Sequence, residues 1–167
     1  MRTDQELLEE ISEKNEQAFD ELYSRYSKPI YGFVFNYTGN KEDAQEITQA
    51  IFVKLWRKAG KFKGRSTAKT WIFRIATNTI MDYFRIKKRV KKVELPDQLE
   101  STDSQTVELV ALEEAILKLS DRERMAILLV YGQAQSYKST AKIMGCSSRA
   151  VEGLIRRAKS KLRELLK

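Results

Sequence analysis

The side chains best equipped for chemistry in this chain are cations and flat rings, crowded between Lys54 and Lys92. That stretch carries 14 Lys or Arg and one acid, Asp82, and within it F-K-G-R-S-T-A-K-T-W-I-F-R-I-A-T-N-T-I-M-D-Y-F-R runs from Phe62 to Arg85. Basic groups neutralise phosphates and rings accept unstacked bases, so the mixture suits single-stranded or melting nucleic acid. The plainer alternative is a cationic helix with an aromatic core face. Covalent chemistry has little support. There is no histidine, the commonest general base and metal ligand, and the lone Cys146 rules out an internal disulfide. Glu42, Asp43 and Glu46 share one helix face, as the paired carboxylates of a nucleic-acid enzyme would, but a solvated or partner-binding face accounts for them better. No cofactor and no metal are implied, and the chain is expected not to be an enzyme.

These groups are positioned by helices arranged in two charged blocks. Residues 1–92 hold 19 basic and 12 acidic side chains, net +7; residues 93–120 hold 1 and 7, net −6; residues 121–167 hold 11 and 4, net +7. Two cationic blocks flanking an anionic strip point to two contacts with a polyanion. The N-terminus lacks the apolar core of a signal peptide, and no stretch approaches the roughly 20 apolar residues that span a bilayer. A soluble cytoplasmic protein without membrane insertion is expected.

The fold class predicted is all-α: two small helical domains, 1–90 and 106–167, joined by a flexible acidic linker over 91–105. Pro29 and Pro96, the only prolines, fall where elements could begin or end. A first helix covers about Thr3 to Ser12. Asn15 caps a second, with Phe19, Leu22, Tyr23 and Tyr26 turned inward, and helix continues beyond Pro29 to a stop at Gly39-Asn40. Asn40 opens a long helix to about Gly60. After the loop Lys61–Ser66, a helix from about Thr67 to Lys88 has a core stripe of Ile72, Ile75, Ala76, Thr79, Ile80 and Tyr83. Trp71, Arg74, Asn78, Asp82 and Arg85 form a second stripe facing solvent or a ligand.

In the C-terminal part, Val107, Leu109, Val110, Leu112, Ile116 and Leu119 predict one amphipathic helix, and Ser120-Asp-Arg-Glu123 is a capping box opening a buried one. A helix over about Ser136–Met144, a turn at Gly145 and a basic helix capped by Ser147 or Ser148 make a helix-turn-helix. Val151, Ile155, Ala158 and Leu162 point inward. Arg149, Glu152, Arg156, Arg157 and Lys159 then face outward or sideways, where arginine can take guanine and glutamate can accept from cytosine.

The segments D-A-Q-E-I-T-Q-A-I-F-V-K-L-W (43–56), the 62–85 run, L-S-D-R-E-R-M-A-I-L-L-V-Y (119–131) and A-K-I-M-G-C-S-S-R-A-V-E-G-L-I-R-R-A-K-S-K-L (141–162) resemble the extracytoplasmic-function sigma factors of bacterial RNA polymerase. The resemblance covers nearly the whole chain and implies sigma domains 2 and 4 alone. It implies that Asp43, Glu46, Ile47, Gln49, Phe52, Val53 and Trp56 bind core polymerase, through its beta-prime and beta subunits. It places Phe62, Lys63, Gly64, Arg65, Ser66, Trp71, Arg74, Asn78, Arg85 and Lys88 on the −10 promoter element, with Trp71 read as bracing the loop. Lys87, Lys88, Arg89, Lys91 and Lys92 are expected to grip phosphate. Ser148, Arg149, Glu152, Arg156, Arg157 and Lys159 fall on the −35 reader. Promoter DNA and an anti-sigma factor are the other implied partners.

Two departures stand out. Thr140 replaces a usual buried isoleucine, and Gly153 sits inside the recognition helix. The alternative function is a stand-alone helix-turn-helix regulator, which would dimerise and hold an operator without polymerase; it has no need of the 43–56 motif.

Overall fold

The computed structural model describes residues 1–90 and 107–167; the expected linker at 91–105, with Pro96, lies outside the described residues. Among the described residues the chain is helical throughout, without strands. Helix α1 (Asp4–Ser12) begins at a capping box in which Thr3 Oγ1 accepts from the Glu6 N–H at 3.1 Å and Glu6 accepts from the Thr3 N–H at 2.7 Å. Its apolar face, Leu7, Leu8 and Ile11, is completely buried. Arg2 and Arg25 tie it to the neighbouring helix through Glu10, Glu21 and Asp4.

Helix α2 (Glu16–Thr38) passes straight through Pro29, which is therefore not a boundary. Proline costs the helix one N–H donor, but Tyr26, Ile30, Phe33, Val34 and Tyr37 are buried on both sides of it, and that burial outweighs the lost bond. The helix stops at Gly39, whose φ of +66° is the left-handed conformation that glycine adopts without a Cβ penalty. Asn40 caps α3 (Lys41–Lys58), which closes in a 3₁₀ turn at Ala59–Lys61. Helix α4 (Ala68–Val90) lies against α3 with Ile72, Phe73, Ile75, Ala76, Thr79 and Ile80 buried, close to the predicted core stripe.

The C-terminal group comprises α5 (Val107–Leu117), α6 (Asp121–Ile127), α7 (Tyr137–Met144) and α8 (Ser148–Leu165). Helix α5 departs from expectation. Only Ala115 is buried, while Val107, Leu109 and Leu112 of the predicted apolar face are exposed. The capping box at Ser120 forms as read, and the apolar run behind it is buried from Met125 to Leu129. That run then widens into a π-helical turn, Leu128–Gly132, which leaves Tyr131 on the surface.

The two helix groups are in contact. Helix α4 lies against α7 and α2 against α5, and one continuous apolar core extends from Leu7 to Ala158. Arg124 of α6 reaches back to donate to the Tyr37 carbonyl at 3.0 Å.

Candidate nucleic-acid interface

The loop before α4 is built around an aromatic brace. Phe62 and Trp71, both half-buried, hold their rings 5.5 Å apart at 56°, so Trp71 supports the loop from the first turn of α4. Gly64 has φ +71°, and no atom lies within 4 Å of where a Cβ would stand. Backbone conformation, rather than crowding, selects glycine here, and the space beside it is open. Lys63 and Arg65 are exposed, and Thr67 Oγ1 caps α4 by accepting from the Thr70 N–H at 3.1 Å.

Along α4 the outer stripe is accessible as predicted: Arg74, Asn78, Arg85 and Lys88 are exposed beside the buried core stripe. Arg85 donates to Asp82 at 2.7 Å, and Asp82 also faces Lys54 at 3.6 Å. Exposed pairs of this kind contribute about 0–1 kcal/mol, so a phosphate can displace the carboxylate. Lys87 is engaged elsewhere. Its amine donates to both Asp43 oxygens at 2.8 Å.

On α3 the structure corrects the residue set. Ile47 and Phe52 are core residues, 0% and 4% exposed, and cannot present themselves to a partner. Asp43 is largely enclosed, accepting from Lys87 and from the Tyr83 hydroxyl at 2.7 Å. Burial pushes the Tyr83 hydroxyl above its ordinary value, and its bonds to Asp43 and Glu46 push the same way. The exposed stripe is Glu42, Glu46, Gln49 and Val53, with Trp56 half-exposed at its end. Aromatic residues of α2 extend it. Phe19 meets Trp56 edge-on at 5.3 Å, and Tyr23, read as inward-facing, is 48% exposed with its ring 4.6 Å from Phe52. Tyr23 therefore lies on this exposed surface and not in the core. The matching four-residue spacing of Phe19/Tyr23 and Phe52/Trp56 was the available signal.

The helix-turn-helix forms as the spacing predicts. Gly145 turns the chain at φ +67°, and Ser147 Oγ accepts from the Ala150 N–H at 3.1 Å to start α8. Val151, Leu154, Ile155 and Ala158 are buried. Ser148, Arg149, Glu152 and Arg156 are exposed on the N-terminal half of the outer face, the part that can enter a groove. Two of the proposed readers have other partners. Arg157 turns toward the buried Glu123 carboxylate, 3.8 Å away, and the Lys159 amine lies 4.8 Å above the Tyr131 ring. Burial alone would raise the Glu123 carboxyl; the bonds from Lys161 and from the Ser120 N–H overcome it and hold the group below its usual value.

No cluster of metal-ligating side chains occurs among the described residues, and none of the described helices is long and apolar enough to cross a membrane.

Two family models match in sequence order. Sigma-70 region 2 covers residues 22–90, and Sigma-70, region 4 covers residues 109–162. RNA polymerase sigma factor YlaC of Bacillus subtilis is 29% identical, over 90% of this chain and 93% of its own. ECF RNA polymerase sigma factor SigM of Mycobacterium tuberculosis is 28% identical, over 99% of this chain and 85% of its own. Among solved structures, CnrH in complex with the cytosolic domain of CnrY superposes with TM-score 0.76 at 26% identity, covering 98% of this chain and 96% of that one. The fold is shared as well with the sigma factor RpoE bound to the anti-sigma factor NepR from Bartonella quintana, at TM-score 0.79 and 24% identity over 89% of this chain and 96% of that one.

Proposed function

Because this chain belongs to the extracytoplasmic-function class of the sigma-70 family, we propose that it joins core RNA polymerase and directs it to promoters through two separate DNA-reading surfaces. It is an RNA polymerase sigma factor, and it contributes binding and positioning without covalent chemistry of its own. Residues 1–90 serve as the unit for core and −10 binding, 91–105 as the connector, and 106–167 as the −35 unit. The place of action is the cytoplasm, where polymerase and promoter DNA meet. An anti-sigma factor is the expected regulator, of the kind bound to RpoE in its structure.

The observation that carries this reading is the exposed stripe Arg74, Asn78, Arg85 and Lys88 beside the open loop at Gly64. A strand of melted DNA can lay phosphates on the arginines and present a base to the asparagine amide or the loop. On α3, the acidic start at Glu42 and Glu46 and the apolar and aromatic end at Val53 and Trp56 fit a basic, partly apolar helix of the polymerase. On α8, Arg149, Glu152 and Arg156 are the residues placed to read base edges, and Arg157, Lys159 and Ser148 support or grip phosphate.

Reconstitution with core polymerase tests the division of labour. Asn78→Ala should lower promoter opening by roughly 5- to 150-fold, the 1–3 kcal/mol of a lost base contact, while binding core normally. Glu46→Lys should weaken association with core first. Equal loss of both activities in both variants would show that the two faces are not separate. Tight operator binding by the chain alone, with no polymerase association, would instead favour the stand-alone regulator.

A further inference from the structure

Three residues separate α1 from α2, and the middle one stands in an unusual conformation. Lys14 has φ +67°, the left-handed region that residues with a Cβ avoid. The turns from α2 to α3 and from α7 to α8 use the same conformation and place glycine in it, at Gly39 and Gly145. The turn at Lys14 is fixed from both sides. The Lys14 N–H donates to the Ile11 carbonyl at 2.9 Å and the Asn15 N–H to the Glu10 carbonyl at 3.1 Å. Asn15 Oδ1 then accepts from the Ala18 N–H at 3.1 Å to open α2. Glycine would meet these demands without strain, so the backbone does not account for a lysine here.

The side chain does account for it. Lys14 is exposed, yet its amine reaches the end of α3, 42 positions on, and lies 5.0 Å over the Trp56 ring. The same amine points at the Trp56 main-chain carbonyl, 3.5 Å away, in the last turn of a helix whose carbonyl end favours a cation. Phe19, in the first turn of α2, meets the indole edge-on at 5.3 Å. Cation and ring together restrict a half-exposed side chain that solvent alone would leave free to turn. Trp56 closes the exposed stripe of Glu42, Glu46, Gln49 and Val53. A partner binds more tightly to a ring already held in its bound orientation than to one it must immobilise.

We propose that Lys14 is a positioning residue for core polymerase, holding the Trp56 indole in the orientation the polymerase meets without touching the polymerase itself. The proposal rests on Trp56 being part of the core-binding surface. The strain at Lys14 is the cost of directing a cation from this turn onto the ring.

The test measures core affinity of the full chain for Lys14→Gly, Lys14→Arg, Trp56→Ala and the combination of Lys14→Gly with Trp56→Ala. Lys14→Gly removes the amine and relieves the turn. Its melting temperature should equal or exceed that of wild type, while its Kd for core rises roughly two- to fivefold. Lys14→Arg keeps a cation over the ring and should bind core as wild type does. With Trp56→Ala present, adding Lys14→Gly should bring no further loss, because the lysine acts only through the indole. Trp56 and Trp71 are the only tryptophans, so a free chain carrying Trp71→Phe isolates the Trp56 signal. There, time-resolved fluorescence anisotropy should show faster indole motion in Lys14→Gly. Wild-type core affinity in Lys14→Gly, unchanged indole motion, or an equal loss with and without the indole overturns the proposal. A melting temperature lowered in step with affinity marks a merely structural role and overturns it too. Trp56→Ala binding core as tightly as wild type removes Trp56 from the core-binding surface, and the proposal falls with that assignment.

Discussion

Thr140 of α7 is fully buried, and its hydroxyl meets no hydrogen-bond partner among the described residues. An unpaired buried hydroxyl costs about 1–3 kcal/mol, while its methyl group packs as a valine methyl would. Thr140→Val should therefore stabilise the chain by about 1 kcal/mol, raising the urea midpoint at an unchanged slope. A lower midpoint would mean that the hydroxyl is bonded in solution. Glu123 behaves in the opposite way, because its carboxylate is needed. Its folded value lies below the ordinary 4.5, so its contribution is complete above that pH and is lost as pH falls through the folded value. Denaturant titrations of wild type should show stability declining on acidification below about pH 4.5. In Glu123→Gln that part of the decline should disappear and stability at neutral pH should be lower. An identical acid slope in the two proteins would remove Glu123 from the account.

At the level of elements, what could be read from sequence was local. The caps at Asn15, Asn40, Ser120 and Ser147 are short-range contacts between a side chain and the third residue beyond it, and all of them form. The two stripes of α4 were legible for the same reason, since residue identity alternates cleanly around the helix. The errors came where the deciding partner is distant in sequence. Pro29 looked like a boundary because local chemistry forbids it, whereas burial on both sides retains it. Ile47, Phe52 and Tyr23 all carry apolar side chains on adjoining helices, and only the angle between α2 and α3 decides that the first two go in and the third stays half out. Val107, Leu109 and Leu112 likewise have a helical apolar pattern that no described element covers. Asp43 and Lys87 are 44 positions apart, so nothing in either neighbourhood announced their pairing, which takes both from the partner-binding and phosphate-gripping roles assigned to them.

For the whole molecule, the shared core implies shared stability. The described C-terminal group is small, and helical units of about 60 residues bury a modest fraction of their surface when alone. Its closure over Tyr37 and α4 adds apolar contact that neither group has separately, in a core that runs unbroken across the joint. Heating the free protein should then give one calorimetric transition, with the calorimetric enthalpy matching the van't Hoff value. Leu117→Ala removes packing against Gly39 and, as a large-to-small change at a partly buried position, should cost about 1–3 kcal/mol, most of it at the joint. The single transition should split, with the C-terminal helices melting first and the α1–α4 group, held by its own Leu7-to-Ile80 core, melting near the original temperature. Two transitions already present in wild type would mean that the groups fold independently and that contact across the joint contributes little to stability.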